Sequence, residues 1–323
     1  MKRRTMMLSA AFASVIAMGT LPAFADYPER PITLLVPWSA GGGTDAVGRM
    51  IATGLQEALG QPVNVVNRTG AGGIVGHSAM VEADPDGYTI GLATAEITTY
   101  AAIGTSKIGS ADLTPIALMN FDAAAFNVSA KSEWETVDQA LKAIAAEPGK
   151  YKASGFPVGA AYHLAFANFL SVNGVDPTAI TVVPSQGAAP GFQELVAGGV
   201  AIVPSSLPEA ASMRDANLVK TLAVLSAERL EAYPDVQTAE EATGKPAVGG
   251  TWRGIVGPKG MDAEAVAKLE AALDTIYNSA AYQDFMTNRG FGMRWLPAAE
   301  FDSFMTEATA NNADVISKLG LAQ

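Results

Sequence analysis

The sequence contains no cysteine and only two histidines, His77 and His163. Without thiols there are no disulfides, no zinc–thiolate centres and no cysteine nucleophile. Such a chain suits an oxidising compartment such as a bacterial periplasm, where a free thiol is at risk. The two histidines share no H-x-x-x-H or H-E-x-x-H spacing, so no histidine metal site is legible. Basic residues are also scarce: 21 Lys and Arg stand against 32 Asp and Glu, a formal net charge of −11. An acidic surface of this kind argues against nucleic acid and against anionic lipid. An anionic ligand must then be held by local donors rather than by the overall field. Beyond residue 25 there is no run of 18 or more apolar residues, so a soluble mature chain is expected.

Signatures of chemistry are missing as well. No G-x-x-x-x-G-K-[ST] occurs, which excludes a Walker A loop. Gly70, Gly72 and Gly76 give G-x-G-x-x-x-G after an expected strand. That is a weak variant of the dinucleotide fingerprint, and the next strand ends at Thr94-Ala95 with no acid placed for a ribose. There is no G-x-S-x-G nucleophile elbow. A Ser–His–Asp triad would need one of the two histidines as base, and spacing assigns no serine to either. Both histidines stand at expected helix starts, where packing or capping is the plainer role. Composition and motifs thus imply no catalytic residue, no metal and no cofactor.

What is present begins with a three-part leader. Lys2, Arg3 and Arg4 precede an apolar stretch from Met6 to Met18, and Ala23-Phe24-Ala25 is a small-x-small cleavage site. Residues 1–25 therefore read as a secretory signal peptide, with the apolar core too short to span a bilayer. Its removal leaves 298 residues and takes the formal charge to −14. That length suggests two domains.

The mature chain alternates strand-like and helix-like segments. Strands are expected at 31–36, 63–66 and 88–93, with helices at 46–59 and 74–83 between them. A second unit opens near residue 125, with strands at 126–128, 151–155, 180–183, 200–203 and 221–225. Its helices are expected at 137–146, 163–172 and 191–197. Residues 249–256 form a crossing strand, in which Trp252 and Arg253 are bulky enough to line a hinge. Three helices follow, 263–278, 281–289 and 298–319. The pattern is α/β, with each domain a mainly parallel sheet flanked by helices. The tail helices need a sheet to cover, and the first unit is short of helices. The expected division is 26–124 plus 251–323 for domain 1 and 125–250 for domain 2.

The ends of these strands carry short glycine- and hydroxyl-rich loops, each leading into a helix. In open α/β sheets ligands bind at such loops. Helix N-termini offer unpaired N–H groups and partial positive charge to a carboxylate or phosphate. Apart from Arg68 these loops hold no Lys or Arg. Neutral dipoles are thus expected to hold the anion, which suits a receptor that must release it.

Several stretches together carry a resemblance. They are Tyr27-Pro28-Glu29-Arg30-Pro31-Ile32, Val36-Pro37-Trp38-Ser39-Ala40-Gly41-Gly42-Gly43-Thr44-Asp45, Leu59-Gly60-Gln61-Pro62-Val63 with Asn67-Arg68, and Gly70-Ala71-Gly72-Gly73. They continue in Pro85-Asp86-Gly87-Tyr88, His163-Leu164 and Pro184 with Gly187 and Pro190. In order and spacing the chain resembles the solute-binding receptors of tripartite tricarboxylate transporters, the Bug-type or TctC-like family. The resemblance implies a two-domain Venus-flytrap receptor, monomeric and periplasmic, that closes on a small organic carboxylate. It also implies delivery to a large and a small membrane subunit.

On the first lobe the resemblance implies ligand contacts from Ala40, Gly41, Gly42, Gly43, Thr44 and Asp45 and from Gly72 and Gly73; the loop ending the third strand adds Thr94, Ala95 and Glu96, and Trp38, where the first strand ends, is expected either to wall the cleft or to pack. On the second it implies Ser154, Gly155, Ala160, Ala161 and His163, then Ser185, Gly187 and Ser205. Relatives often have an aromatic residue in place of Ser185 and an aspartate in place of Ser205. Glu96 stands where they more often have a small or neutral residue. It is expected either to contact a donor on the ligand or to be a solvated helix-start acid. Asp45 is expected either to touch the ligand or to stabilise its helix N-terminus. Two other readings remain open at this point: an exported α/β enzyme using His163 or Asp45, and a binding protein used for sensing.

Overall fold

The computed structural model describes residues 27–322, so the expected signal peptide lies outside the described residues. The short apolar runs form strands. Ile32–Val36 is β1, Val63–Asn67 is β2 and Thr89–Thr94 is β3. β1 pairs in parallel with both, Leu34 lying opposite Val65 on one side and Ile90 on the other. Parallel neighbours need crossovers, and helices Gly43–Leu59 and Ile74–Val81 supply them. Val47, Ile51 and Leu55 recur at helical spacing on the first of these and are fully buried. Each contributes roughly 1.5–3 kcal/mol by leaving water.

The next strand, Leu113–Ala123 (β4), is not legible in the sequence. Most of its central residues are buried on both faces, so the run shows no apolar–polar alternation. The remaining strands are Ala125–Ser129 (β5), Lys152–Ala153 (β6), Thr181–Val182 (β7), Ile202–Val203 (β8), Val219–Val224 (β9), Gly250–Pro258 (β10) and Met293–Pro297 (β11). They form two sheets, ordered β11-β4-β10-β3-β1-β2 and β7-β6-β8-β5-β9.

The α/β class holds, but the sheets are mixed rather than mainly parallel. β10 runs antiparallel to both β3 and β4, and β11 antiparallel to β4. In the other sheet β5 runs antiparallel to β8 and β9. The cause is the route of the chain. β5 enters the second sheet directly from β4, and β10 enters the first on the way back. A strand that enters from the facing sheet runs against the strands whose C-terminal ends point toward that sheet. At the crossing the two connections are tied together, Ala124 N–H donating to Gly249 O at 2.9 Å.

Helix Ala263–Tyr277 packs on helix Gly43–Leu59 and β4, and helix Ala298–Lys318 packs on β4 and β11. The C-terminal helices therefore cover the first sheet. Leu269, Leu273 and Tyr282 join its core beside Ile32 and Leu34. The second sheet has its own core, in which Phe126 meets Phe166 edge-on at 5.1 Å.

Candidate ligand-binding cleft

Alternation along two paired strands builds the centre of the cleft. On β10, Trp252 and Arg253 face opposite ways. Trp252 turns to Phe301 and Phe304 in the core. Arg253 pairs in register with Asn120 of β4, and Thr251 with Asp122. Asn120 and Asp122 are two apart, so both project to the Arg253 face. There the Arg253 Nη1 group donates to Asn120 Oδ1 at 2.5 Å and to the Asp122 carboxylate. Nε donates to Thr44 Oγ1 at 2.9 Å. The guanidinium is 1% exposed, yet it borders a cavity of about 40 Å³ between the two sheets.

Across that cavity Glu209, on helix Leu207–Asp215, accepts from Arg253 Nη2 at 3.2 Å. Its other oxygen accepts from Tyr162 Oη at 2.7 Å and Ser206 Oγ at 3.2 Å. The carboxylate also lies against the first residue of helix Gly43–Leu59: a Cβ on Gly43 would meet Glu209 Oε1 at 2.7 Å. A second acid does the reverse. Glu96, at the end of β3, accepts at 3.3 Å from the backbone N–H of Ala161, which opens helix Ala161–Val172 on the other side. Each half of the molecule thus sends a carboxyl group to a helix N-terminus of the other, where negative charge is favoured.

Burial raises the Glu96 pKa, opposed only in part by hydrogen bonds from Thr94 and Ala161 and by the nearby Arg253 charge. Thr94 relays between walls, accepting from Trp38 Nε1 at 3.1 Å and donating to Glu96 Oε2 at 2.5 Å.

Seven of the residues expected at the site border this cavity: Trp38, Gly42, Gly43, Thr44 and Glu96 from one side, Gly155 and Gly187 from the other. Helices Gly43–Leu59 and Ala188–Ala197 begin there, and neither has a side-chain cap. Their first N–H groups are free to meet an anion. Gly187 has φ 130°, a conformation that side chains disfavour. The two rims also touch, Ser39 Oγ donating to Gln186 O at 3.2 Å.

The other expected residues lie around this centre rather than on it. Ala40 and Gly41 are exposed on the outer turn. Asp45 faces away from the cavity into its own loop, accepting from Gly41 N–H, Arg49 Nε and Asn67 Nδ2, each at 3.0 Å. Burial pushes its pKa up, but these donors and the Arg49 charge outweigh that and lower it. Gly73 packs behind Trp38, and a Cβ on Gly72 would meet Pro157 at 2.9 Å across the rim. Ala95 and Ala161 border a different hollow, beside Trp252. Ser154 and Ala160 are buried beneath the loop. Ser185 Oγ donates to Gly187 O at 2.9 Å, shaping the turn. Ser205 is fully buried, with a hydroxyl that has no partner.

Both histidines serve the backbone. His163 Nδ1 accepts from Gly159 N–H at 2.8 Å while its ring stacks on Phe156. His77 Nε2 accepts from Thr94 N–H at 3.2 Å, which leaves the hydrogen on Nδ1 to face Gly73 O and Tyr100 Oη. Burial lowers both pKa values to about 4. Among the described residues no group of three or more His, Asp or Glu is placed to hold a metal ion.

Sequence reasoning placed Arg253 only at a hinge and missed Glu209, Tyr162 and Asp122. The available signal was a lone base in the apolar strand GTWRGIVG and a lone acid in LMNFDA. The loops bring no basic side chain to the cavity; Arg253 comes to it from a strand.

The chain is similar to receptors of one family and to solved structures that carry bound carboxylates. The family model described as "Tripartite tricarboxylate transporter family receptor" matches residues 47–321. Protein BugT of Bordetella pertussis is 31% identical over 277 residues, 83% of each chain. A Rhodopseudomonas palustris protein solved with adipate is 25% identical with a TM-score of 0.85, covering 92% of this chain and 99% of its own. MatC of the same organism, solved with bound malate, is 26% identical with a TM-score of 0.79, covering 90% of this chain and all of its own.

Proposed function

The chain belongs to the tripartite tricarboxylate transporter receptor family, and on that premise we propose that it is a periplasmic receptor binding a small organic carboxylate in the cleft. Its lobes are 26–124 with 251–323, and 125–250, and they close on the solute about the strands that cross near Ala124 and Gly249. Binding occurs without turnover, and the loaded receptor delivers its cargo to a large and a small membrane subunit.

One observation carries this reading. Two uncapped helix N-termini, Gly43–Leu59 and Ala188–Ala197, open onto one cavity from opposite sides. Polar groups from both lobes then face one ligand, and binding and closure become one event. Adipate and malate in two related structures support the ligand class. The absence of turnover is supported by the histidines, neither of which borders the cavity. Export is supported by the leader of residues 1–25. Among the described residues no helix is long and apolar enough to cross a membrane.

The test is a thermal-shift screen over small carboxylates, sugars and inorganic cations. A ligand that binds only the folded form raises the melting midpoint with its concentration. At least one carboxylate is expected to raise it. Shifts confined to sugars or cations would overturn the reading.

A further inference from the structure

The next step rests on the receptor reading and narrows its ligand. Among the described residues Arg253 is the one cation bordering the cavity, and it is nearly saturated. A guanidinium has five N–H donors. Nε is taken by Thr44, Nη1 by Asn120 and Asp122, and Nη2 by Glu209. One Nη2 hydrogen is left. Two carboxylates already face this single positive charge, and Glu96 brings a third carboxyl group to the cavity wall. Negative charge also stands beside two of the helix N-termini. Glu209 lies at the start of Gly43–Leu59 and Glu96 at the start of Ala161–Val172. The start of Ala188–Ala197 is bordered by no side-chain cap.

Glu96 and Glu209 border the same cavity. Glu96 is held by the N–H of Ala161 and Glu209 by the hydroxyl of Tyr162, consecutive residues of one helix. Trp38, Phe156 and Tyr162 border the same cavity. Acids beside aromatic faces form a surface that attracts ammonium groups, through charge and through the ring quadrupole. A second ligand carboxylate would meet acids there, with no free base to offset them.

We propose that the cleft selects a zwitterion: a small carboxylate that also bears an ammonium group. Its carboxylate lies at the N-terminus of helix Ala188–Ala197, and its ammonium lies toward Glu96 and Glu209. These two acids set specificity, and Arg253 positions Glu209 instead of receiving the ligand.

Isothermal titration of the purified protein with matched acids tests this. The pairs are butanoate with 2-aminobutanoate and with 4-aminobutanoate, and succinate with aspartate; malate supplies a hydroxyl in place of the amine. At least one amino acid is expected to bind more than tenfold tighter than its parent acid. In Glu96→Gln or Glu209→Gln that ratio is expected to fall below threefold. Glutamine keeps the shape and an acceptor oxygen at either position, and circular dichroism identifies a variant that has not folded. Succinate or butanoate binding as tightly as the amino acids would overturn the zwitterion proposal and leave the receptor reading standing. So would malate matching aspartate. Ethylamine binding as well as the amino acids would overturn the carboxylate reading itself, and so would no binding by any acid.

Discussion

Arg253 of β10 and Glu209 of helix Leu207–Asp215 meet across the cleft at 3.2 Å, with side chains only 1% and 6% exposed. The same guanidinium holds Asp122 from within its own sheet. One arginine therefore neutralises one acid inside its lobe and one acid brought by the other. Removing it leaves both without a counter-charge. Arg253→Met is expected to lower unfolding free energy by about 3–5 kcal/mol, the usual penalty for an uncompensated buried charge. Urea unfolding measures it, and a loss under 1 kcal/mol would show that the pair is solvated and weak.

Gly43 is the point of closest approach beneath Glu209. A methyl group there would meet Glu209 Oε1 at 2.7 Å and Arg253 Nη2 at 3.0 Å. Both belong to the closed contact. Alanine also suits a helix better than glycine by about 1 kcal/mol. Gly43→Ala is thus expected to keep or raise stability while weakening ligand binding at least about tenfold, since tight contacts between lobes are lost before the fold is. Calorimetric affinity and the urea midpoint, taken on one preparation, separate the two effects. Gly191→Ala serves as the contrast, because its Cβ would meet the Gly155 backbone nitrogen at 2.5 Å. There stability is expected to fall by about 1–3 kcal/mol.

Stability should decline in acid. His77 and His163 titrate near 4 when folded, against an ordinary value of 6.5. Between those values the unfolded chain binds protons that the folded chain refuses, so stability falls as pH falls through that window. Each histidine removes up to about 3 kcal/mol by pH 4, at roughly 1.4 kcal/mol per pKa unit. Glu96 acts in the opposite sense. Its raised pKa favours the folded chain at low pH, and that support is lost as pH rises past the ordinary glutamate value. Urea midpoints between pH 7 and pH 4 are expected to drop, and to drop more steeply in Glu96→Gln. A flat profile would refute the buried, neutral state of the histidines.

Asp45 holds a loop. Gly41, Arg49 and Asn67 all donate to it. Asp45→Ala is expected to cost about 1.5–3 kcal/mol of stability, the range for hydrogen bonds to a charged group, with affinity kept within about threefold. Wild-type stability combined with a tenfold loss of affinity would place its carboxylate on the ligand.

How much of this was legible in the sequence depended on whether a signal was local. β1 and its glycine loop are local: an apolar run, then Gly41-Gly42-Gly43, then apolar residues at helical spacing. The strand, loop and helix follow in that order. β4 is fixed by burial on both faces, which erases the alternation that marks a strand. Glu209 was hidden for another reason. An acid in the first turn of its helix, next to Pro208, reads as a complement to that helix's own dipole. Its partner lies 44 residues away on the other sheet. Arg253 showed itself as a charge in an apolar strand, but its neighbours depend on the pairing of β10 with β4, which no local pattern announces.

In the proposed closure the tie between Ala124 and Gly249 marks the fulcrum. Asp122 and Arg253 lie within a few residues of it, close to the fulcrum, whereas Ser39 with Gln186 and Gly72 with Pro157 touch out at the rim. A rotation about the crossing moves each atom in proportion to its lever arm. The rim contacts part widely at an angle that separates Glu209 from Arg253 only slightly. In the closure proposed above, the charged pair is therefore expected to be the last contact to break as the jaws open and the first to form as they shut.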